Sequence, residues 1–397
     1  MDKKKILFVY YEMIVGGSTT SLLALLNSLD KSKYEIDLQL YRNRGPMLAD
    51  IPEGVRLLPP AVKFDGRIGA WLKRAVYVLS GGMLRARRAN KRAGKGGQSG
   101  QVLGDFQVRH FSKRVKQHYD VAVGFLEGWP VRYLAYKTTA DKKLAWLHST
   151  FANIAAIPEL EKNWMGEADK IVFVADKCRD AFCEAMPDMA SKAVTVLNIT
   201  DSSLVRKRAE QCDEQDADYV RFRDADCFRI VTVCRVTVSV KGLDRAVTCA
   251  KRLKESGKRF LWMIIGDGAD LVRLREMITD AGLEDCMVAI GNRMNPFPFV
   301  KLADVFCMPS RYEGKPMVIT ESMILGVPPV VTRYLSAAEQ IESGVEGLIV
   351  ENADDTVYDA LCGCMEHPEA VLKMKEYLAA HEYGNAEYAR EIEQKYL

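Results

Sequence analysis

The chain has 397 residues, 48% of them hydrophobic and 27% charged, with a mean hydropathy of −0.12; that length exceeds one ordinary core and makes two domains the expectation. No run of about 18 apolar residues occurs, so no transmembrane helix is expected, and ten scattered cysteines with five histidines offer neither a disulfide framework nor a zinc-spaced set. The net charge of +3 is local: residues 66–116 hold thirteen Lys or Arg against one acid, Asp105, and taking these from the 56 basic and 53 acidic residues leaves 43 and 52, a balance of −9.

The opening segment MDKKKILFVYYEMIVGG begins with lysines, but Tyr10, Tyr11 and Glu12 interrupt its apolar run. It reads as a buried strand over residues 5–10 rather than a signal peptide. Together with the unpaired cysteines this points to a reducing cytosol. Gly16 and Gly17 follow. Leu22, Leu25, Leu26 and Leu29 then fall at helical spacing, with Ser18 or Thr19 as the cap. Strand-like runs recur at 35–41, 121–125, 143–147 and 170–174, separated by helical patterns, the alternation of a parallel sheet wrapped by helices. Residues 66–101 interrupt this domain. Their apolar piece, 68–84, places Trp71, Leu72, Val76 and Leu79 on one helical face; RARRANKRAGKGGQSGQ follows, poor in apolar residues and read as a mobile loop.

Residues 199–226 are polar and charge-dense and read as a linker. Asp216-Ala-Asp218 and Asp224-Ala-Asp226 mimic a metal-binding Asp-x-Asp, but in a linker they read as solvated charges, so no metal is expected. The strand–helix grammar restarts with a strand at 228–235, a helix at 243–257 and strands at 260–265, 304–308 and 329–332. The expected fold class is α/β, with two Rossmann-like doubly wound domains: 1–198, carrying a basic insertion at about 66–117, and 199–380. Residues 381–397 are expected to form a C-terminal helix packing back on the first domain. Two such domains facing across a cleft would hold ligands at the carboxyl ends of their strands.

Chemistry concentrates in RYEGKPMVITESMILGVPPVVT, residues 311–332. Pro316 is placed to open a helix and Gly326 to end it. The backbone N–H groups of Lys315, Met317 and Val318 would then face outward at a helix N-terminus, a site for phosphate. Glu313 stands in the turn before it. Glu321 lies a turn inside, on an otherwise apolar segment, where it is either a surface charge or a buried carboxylate with donors to satisfy. A ribose diol supplies two such donors, and an anion site beside a ribose acceptor describes a nucleotide.

This stretch resembles the Glu-x7-Glu signature of the retaining glycosyltransferases of family 4, which have the GT-B fold. VCRVTVSVKGLDRAV (residues 233–247) is similar to the family's Arg…Lys-Gly segment, and IIGDGAD (264–270) to its Gly-Asp-Gly turn. Residues 288–292 resemble the strand and loop that follow, Gly16-Gly17 the glycine loop, and WLHST (146–150) the histidine-bearing segment. The resemblance implies that Arg235 and Lys241 hold the donor diphosphate, Glu321 the ribose and Glu313 the transferred sugar. It also implies that Gly16, Gly17, Asn292, Gly314, Lys315, Pro316, Met317 and Val318 line the donor site and that His148 lies near the anomeric centre. Retention would proceed by front-face attack without a metal or other cofactor, the departing diphosphate helping to deprotonate the acceptor. Lys315 and Leu335-Ser336-Ala337-Ala338 depart from the family pattern where the sugar would lie, which leaves its identity open.

The function expected is transfer of a sugar from a nucleotide-sugar donor, a UDP-sugar, to a glycan or lipid-linked acceptor in surface polysaccharide, cell-wall or glycolipid synthesis. A GT-B epimerase or hydrolase of the same donor is the alternative enzyme. A non-catalytic nucleic-acid-binding module is disfavoured by the absence of a recognised nucleic-acid fold, and Gly16-Gly17 lack the G-x-G-x-x-G of dinucleotide oxidoreductases. The basic segment 66–95 is expected to meet an anionic membrane surface on the cytoplasmic face.

Overall fold

The computed structural model describes residues 3–63, 66–83, 88, 99–151 and 158–397. The chain divides into two compact units, one of Met1–Asn198 with Glu387–Leu397 and one of Ile199–Ala386.

The first unit is built on seven strands: β1 (Lys4–Tyr10), β2 (Tyr34–Leu40), β3 (Val55–Leu57), β4 (His118–Gly124), β5 (Thr139–Leu147), β6 (Lys170–Phe173) and β7 (Ala193–Thr195). They pair in the order β3-β2-β1-β4-β5-β6-β7, every pair parallel. A parallel sheet covered by helices on both faces demands uninterrupted apolar strands. Ile6–Tyr10 and Leu144–Leu147 supply them and are buried throughout. One layer of the core joins Leu7, Val9, Tyr133, Leu134, Trp164, Phe173 and Phe182. The helix Gly17–Ser28 follows β1, and its N-cap is Gly16 in extended backbone. Ser18 and Thr19, read from sequence as caps, lie inside the first turn, where their hydroxyls meet Tyr10 Oη at 2.7 and 3.1 Å.

The second unit has six strands: β8 (Phe228–Val233), β9 (Phe260–Ile265), β10 (Met287–Gly291), β11 (Val305–Met308), β12 (Pro329–Thr332) and β13 (Leu348–Val350). Their order is β10-β9-β8-β11-β12-β13, again all parallel. In both sheets the order of the strands therefore reverses once, between β1 and β4 and between β8 and β11. In open parallel sheets such a switch point, beyond the carboxyl ends of the strands, is where ligands bind.

Residues 199–226 are not a linker. They form the helices Ser202–Ala209 and Ala217–Arg223, capped by Asp201 and Asp216 through backbone N–H groups at 3.0 Å. Each helix buries only two residues, Val205 with Ala209 and Tyr219 with Phe222, which is why composition alone looked polar. Nor are Asp216 and Asp218 merely solvated: Arg293 bridges both, at 2.6 and 2.8 Å, and its hydrogen bond holds the Asp216 carboxyl below its ordinary range. The two ends of this unit are stitched together, with the Asn385 N–H donating to Thr200 O at 3.0 Å and the Thr200 N–H to Asn385 Oδ1 at 2.8 Å.

The chain then returns to the first unit. The helix Tyr388–Tyr396 receives the Asp30 N–H on Glu393 Oε1 (3.0 Å) and Lys142 Nζ on Lys395 O (3.2 Å). The helix Gly66–Leu79 places Trp71, Leu72, Val76 and Leu79 as the sequence grouped them, but the buried face is the other one, with Lys73 and Tyr77 inward. Trp71 is 70% exposed and Leu79 87%. Arg85, Arg87, Lys91 and Arg92 of the basic run, and the loop expected there, lie outside the described residues.

Candidate functional site

The loops after β8, β9 and β11 interlock at the carboxyl edge of the second sheet. Arg235 emerges just past β8 and is exposed. The chain then turns through Val238–Lys241 to Gly242, which has φ +62°. A Cβ on Gly242 would stand 2.0 Å from Pro309 O, so the backbones after β8 and β11 touch only because this residue is glycine. The Gly-Asp-Gly turn has the same cause. Cβ atoms on Gly266 and Gly268 would lie 1.8 Å from Cys234 O and 2.2 Å from Val236 O. Asp270 Oδ2 accepts the Val238 N–H at 2.9 Å, and Arg311 spans the gap, its backbone N–H donating to Val240 O (2.9 Å) and its guanidinium gripping Asp244 at 2.7 and 2.9 Å.

This frame brings Lys241 and Glu313 together, Nζ to Oε1 at 2.7 Å, with side chains 20% and 9% exposed. The family resemblance implies different parts of a donor for them; the structure makes them an ion pair from residues 72 positions apart. Glu313 leads into the helix Met317–Ile324, whose N-cap is Pro316 rather than a residue before it. The turn is braced from β12's loop, where Ser336 donates to Gly314 O and Gln340 to Pro316 O (2.9 Å). Ser336, in the segment departing from the family pattern, is thus a buried support of the turn. Met317 is buried, while Lys315 and Val318 are half-buried.

Glu321, fifth in that helix, is 8% exposed. Burial pushes its carboxyl up to about 7, opposed by the field of Arg208. Arg208 itself donates to Met294 O in the loop after β10, close behind exposed Asn292. Nothing in the sequence singled out Arg208, because it lies in the supposed linker. A cavity of about 580 Å³ lined by Arg206, Lys301, Ile324, Gly326 and His381 sits at the other end of the Met317–Ile324 helix and takes in none of the expected site residues.

The remaining expected residues belong to the first unit and occupy the carboxyl edge of its own sheet. Gly16 and Gly17 begin the helix after β1. His148 follows β5 directly; its backbone N–H donates to Glu127 Oε2 (2.9 Å) and its ring leans on Phe125 at 4.9 Å. Burial drives the imidazole down to about 3, so it is neutral at pH 7. Its Nε2 is buried with no hydrogen-bond partner among the described residues.

Residues 224–380 match the family model of the group 1 glycosyl transferases. Among curated proteins, the amylovoran biosynthesis glycosyltransferase AmsK of Erwinia amylovora is 32% identical over 163 residues, 38% of this chain and 39% of that protein. The putative glycosyltransferase EpsF of Bacillus subtilis is 26% identical over 371 residues, 88% and 83% of the two chains. Among solved structures, Anabaena HepE in complex with UDP and glucose superposes with a TM-score of 0.71 at 16% identity, covering 98% of both chains. Residues 224–380 are thus similar to the group 1 glycosyl transferases, and the chain's two parallel-sheet units have the GT-B fold.

Proposed function

We propose that the chain is a retaining glycosyltransferase that moves a hexose from a UDP-sugar to a glycan or lipid-linked acceptor in surface polysaccharide synthesis. The observation that carries this reading is the Lys241–Glu313 ion pair just before the Met317–Ile324 helix, on the loops after β8 and β11 that flank the switch point of the sheet, with Arg235 exposed just past β8. AmsK is named for amylovoran biosynthesis and HepE for its complex with UDP and glucose, which supports a polysaccharide product and a uridine donor.

Glycosyl transfer builds positive charge at the anomeric carbon and negative charge on the departing diphosphate. Fixed cations and helix N–H groups stabilise that departing charge most in the transition state, which is the condition for accelerating the step. Arg235 and Lys241 take this role. Glu313 orients Lys241 through Oε1, and a carboxylate has acceptor sites to spare on its other oxygen, which takes a hydroxyl of the transferred sugar. Glu321 accepts the ribose diol. The neutral imidazole of His148 serves the sugar side as a hydrogen-bonding group rather than a charge. No metal is required in this scheme.

The exposed face of the Gly66–Leu79 helix, continued by the basic run of residues 85–95, suits a peripheral position on an anionic cytoplasmic membrane surface. Calorimetric titration with UDP, GDP and ADP, followed by assay with UDP-hexoses, tests the reading. Tightest binding of UDP, and release of UDP only when acceptor is present and undiminished by EDTA, is the expected result. Acceptor-independent release would make the chain a hydrolase, and interconversion of the donor without release an epimerase.

A further inference from the structure

The carboxyl edge of the first sheet carries a feature that the donor chemistry does not use. Tyr11 follows β1, Tyr41 follows β2 and Trp129 opens the helix Trp129–Lys137 after β4. These three strands are neighbours, and β1 and β4 flank the switch point. Tyr11 and Tyr41 stack with ring centroids 5.1 Å apart and planes 6° from parallel. Trp129 tilts against both, at 6.4 and 5.2 Å. Despite these contacts Tyr11 keeps 38% of its surface exposed, and the loop continues through exposed Ile14 and Val15 to Gly16.

The backbone beneath is fixed. The Tyr41 N–H donates to Tyr11 O (3.0 Å), the Met13 N–H to Arg44 O (3.0 Å) and the Met47 N–H to Met13 O (3.0 Å). Gly45, at φ +120°, lets the loops close, since a Cβ there would stand 2.2 Å from Met13 O. Glu12 is only 6% exposed and binds Arg44 at 2.9 Å and Arg42 at 3.4 Å. A buried carboxylate with two guanidiniums is a costly way to order a loop, and the loop it orders holds an aromatic ring out toward solvent. The rim is polar: the Arg44 side chain is 61% exposed, Arg42 lies 5.0 Å over the Tyr41 ring and Lys73 Nζ is 3.5 Å from Tyr41 Oη.

A pre-ordered aromatic surface with hydrogen-bonding groups around its edge matches a pyranose. One face of that ring is a patch of C–H bonds, weakly positive and attracted to the negative face of an aromatic ring, while its rim is hydroxyl. We propose that Tyr11, backed by Tyr41 and Trp129, is the platform on which the acceptor saccharide stacks, with Arg42 and Arg44 addressing its hydroxyl or anionic substituents. This rests on the glycosyltransferase reading and adds to it the residues that hold the acceptor.

Saturation-transfer NMR with methyl gluco-, galacto- and mannopyranoside tests the platform without knowledge of the natural acceptor. Stacking reads the C–H face, so transfer to at least one of the three is expected. Tyr11→Ala should cut it by about fivefold, while Tyr11→Phe, which keeps the ring, should preserve it. UDP binding, followed by thermal shift, should be the same in all three proteins. Absence of transfer from every pyranoside to the wild type, or equal transfer in Tyr11→Ala, overturns the platform. Loss of UDP binding in Tyr11→Ala also overturns it, by making the ring a base-stacking residue. If the wild type shows no thermal shift with UDP, the donor reading fails, and the pyranoside result still decides the platform.

Discussion

The two units place unlike chemistry at the same topological address. At the edge of the second sheet the loops are locked by glycine contacts to backbone carbonyls and present charge: exposed Arg235, the Lys241–Glu313 pair and buried Glu321. At the edge of the first sheet the loops are locked by buried Glu12 with its two arginines and present rings: Tyr11, Tyr41, Trp129 and a neutral His148. Strand order fixes where a ligand goes; the loops decide what kind of ligand it is. A charged edge suits a leaving diphosphate, and an aromatic one suits a sugar.

The sharpest way to break this contrast is to remove charge from the second edge. Arg235→Ala should lower turnover by roughly a hundredfold, as loss of one oxyanion donor does, with an unchanged denaturation midpoint because the side chain is exposed. Lys241→Ala should lose as much turnover and also about 1 to 3 kcal/mol of stability, since Glu313 is left unpaired at 9% exposure. Near-normal transfer in both variants would detach the charged edge from catalysis.

Glu321 sharpens the contrast through pH. Its folded carboxyl titrates near 7 against an ordinary 4.5, so the stability this imparts is full below pH 4.5 and is lost as pH rises through 7. Glu321→Gln should therefore be more stable than wild type by about 2 to 3 kcal/mol at pH 8, a gain that vanishes near pH 4.5. Urea denaturation at the two pH values measures it, and an equal difference at both would refute the burial argument.

Nucleotide binding separates the two glutamates. Glu321→Ala should weaken UDP by about tenfold, the size of one or two hydrogen bonds, while Glu313→Ala changes it little and depresses transfer instead. Because ribose hydroxyls prefer the ionised carboxylate, wild-type UDP affinity should also rise as pH climbs through 7. Calorimetry showing equal losses in the two variants would end this division of labour.

The smallest effect belongs to the first unit's outward helix. Trp71→Ala with Leu79→Ala should reduce sedimentation with anionic liposomes by several-fold, and added salt should weaken the rest, each exposed cation being worth about 1 kcal/mol. A protein that ignores such liposomes at low salt has no membrane surface there.

Central strands were plain in the sequence because burial on both faces forces continuous apolar runs, as in Phe260–Ile265. The strands that escaped, β3, β7 and β13, are three residues long and lie at sheet edges, where half-burial leaves no pattern. Short capped helices at 202–209 and 217–223 escaped because two apolar residues suffice to dock each one. At the site, glycines and spaced glutamates were legible because they stand in short motifs, even though the carbonyls those glycines approach, such as Pro309 O for Gly242, lie far along the chain. The Lys241–Glu313 pair, Arg208 and the ring stack were not, since only tertiary folding brings those residues together.

The reciprocal Thr200–Asn385 hydrogen bonds bear on how the molecule can be dissected. They close the second unit into a continuous stretch of sequence with its ends pinned side by side, whereas the first unit is interrupted by it and completed only by Glu387–Leu397. Residues 199–386 can therefore be excised as one piece without severing a strand, in the way domains with adjacent termini tolerate transplantation. The first unit yields to the same operation only if its last helix is rejoined through a short linker. The second unit is thus the portable one.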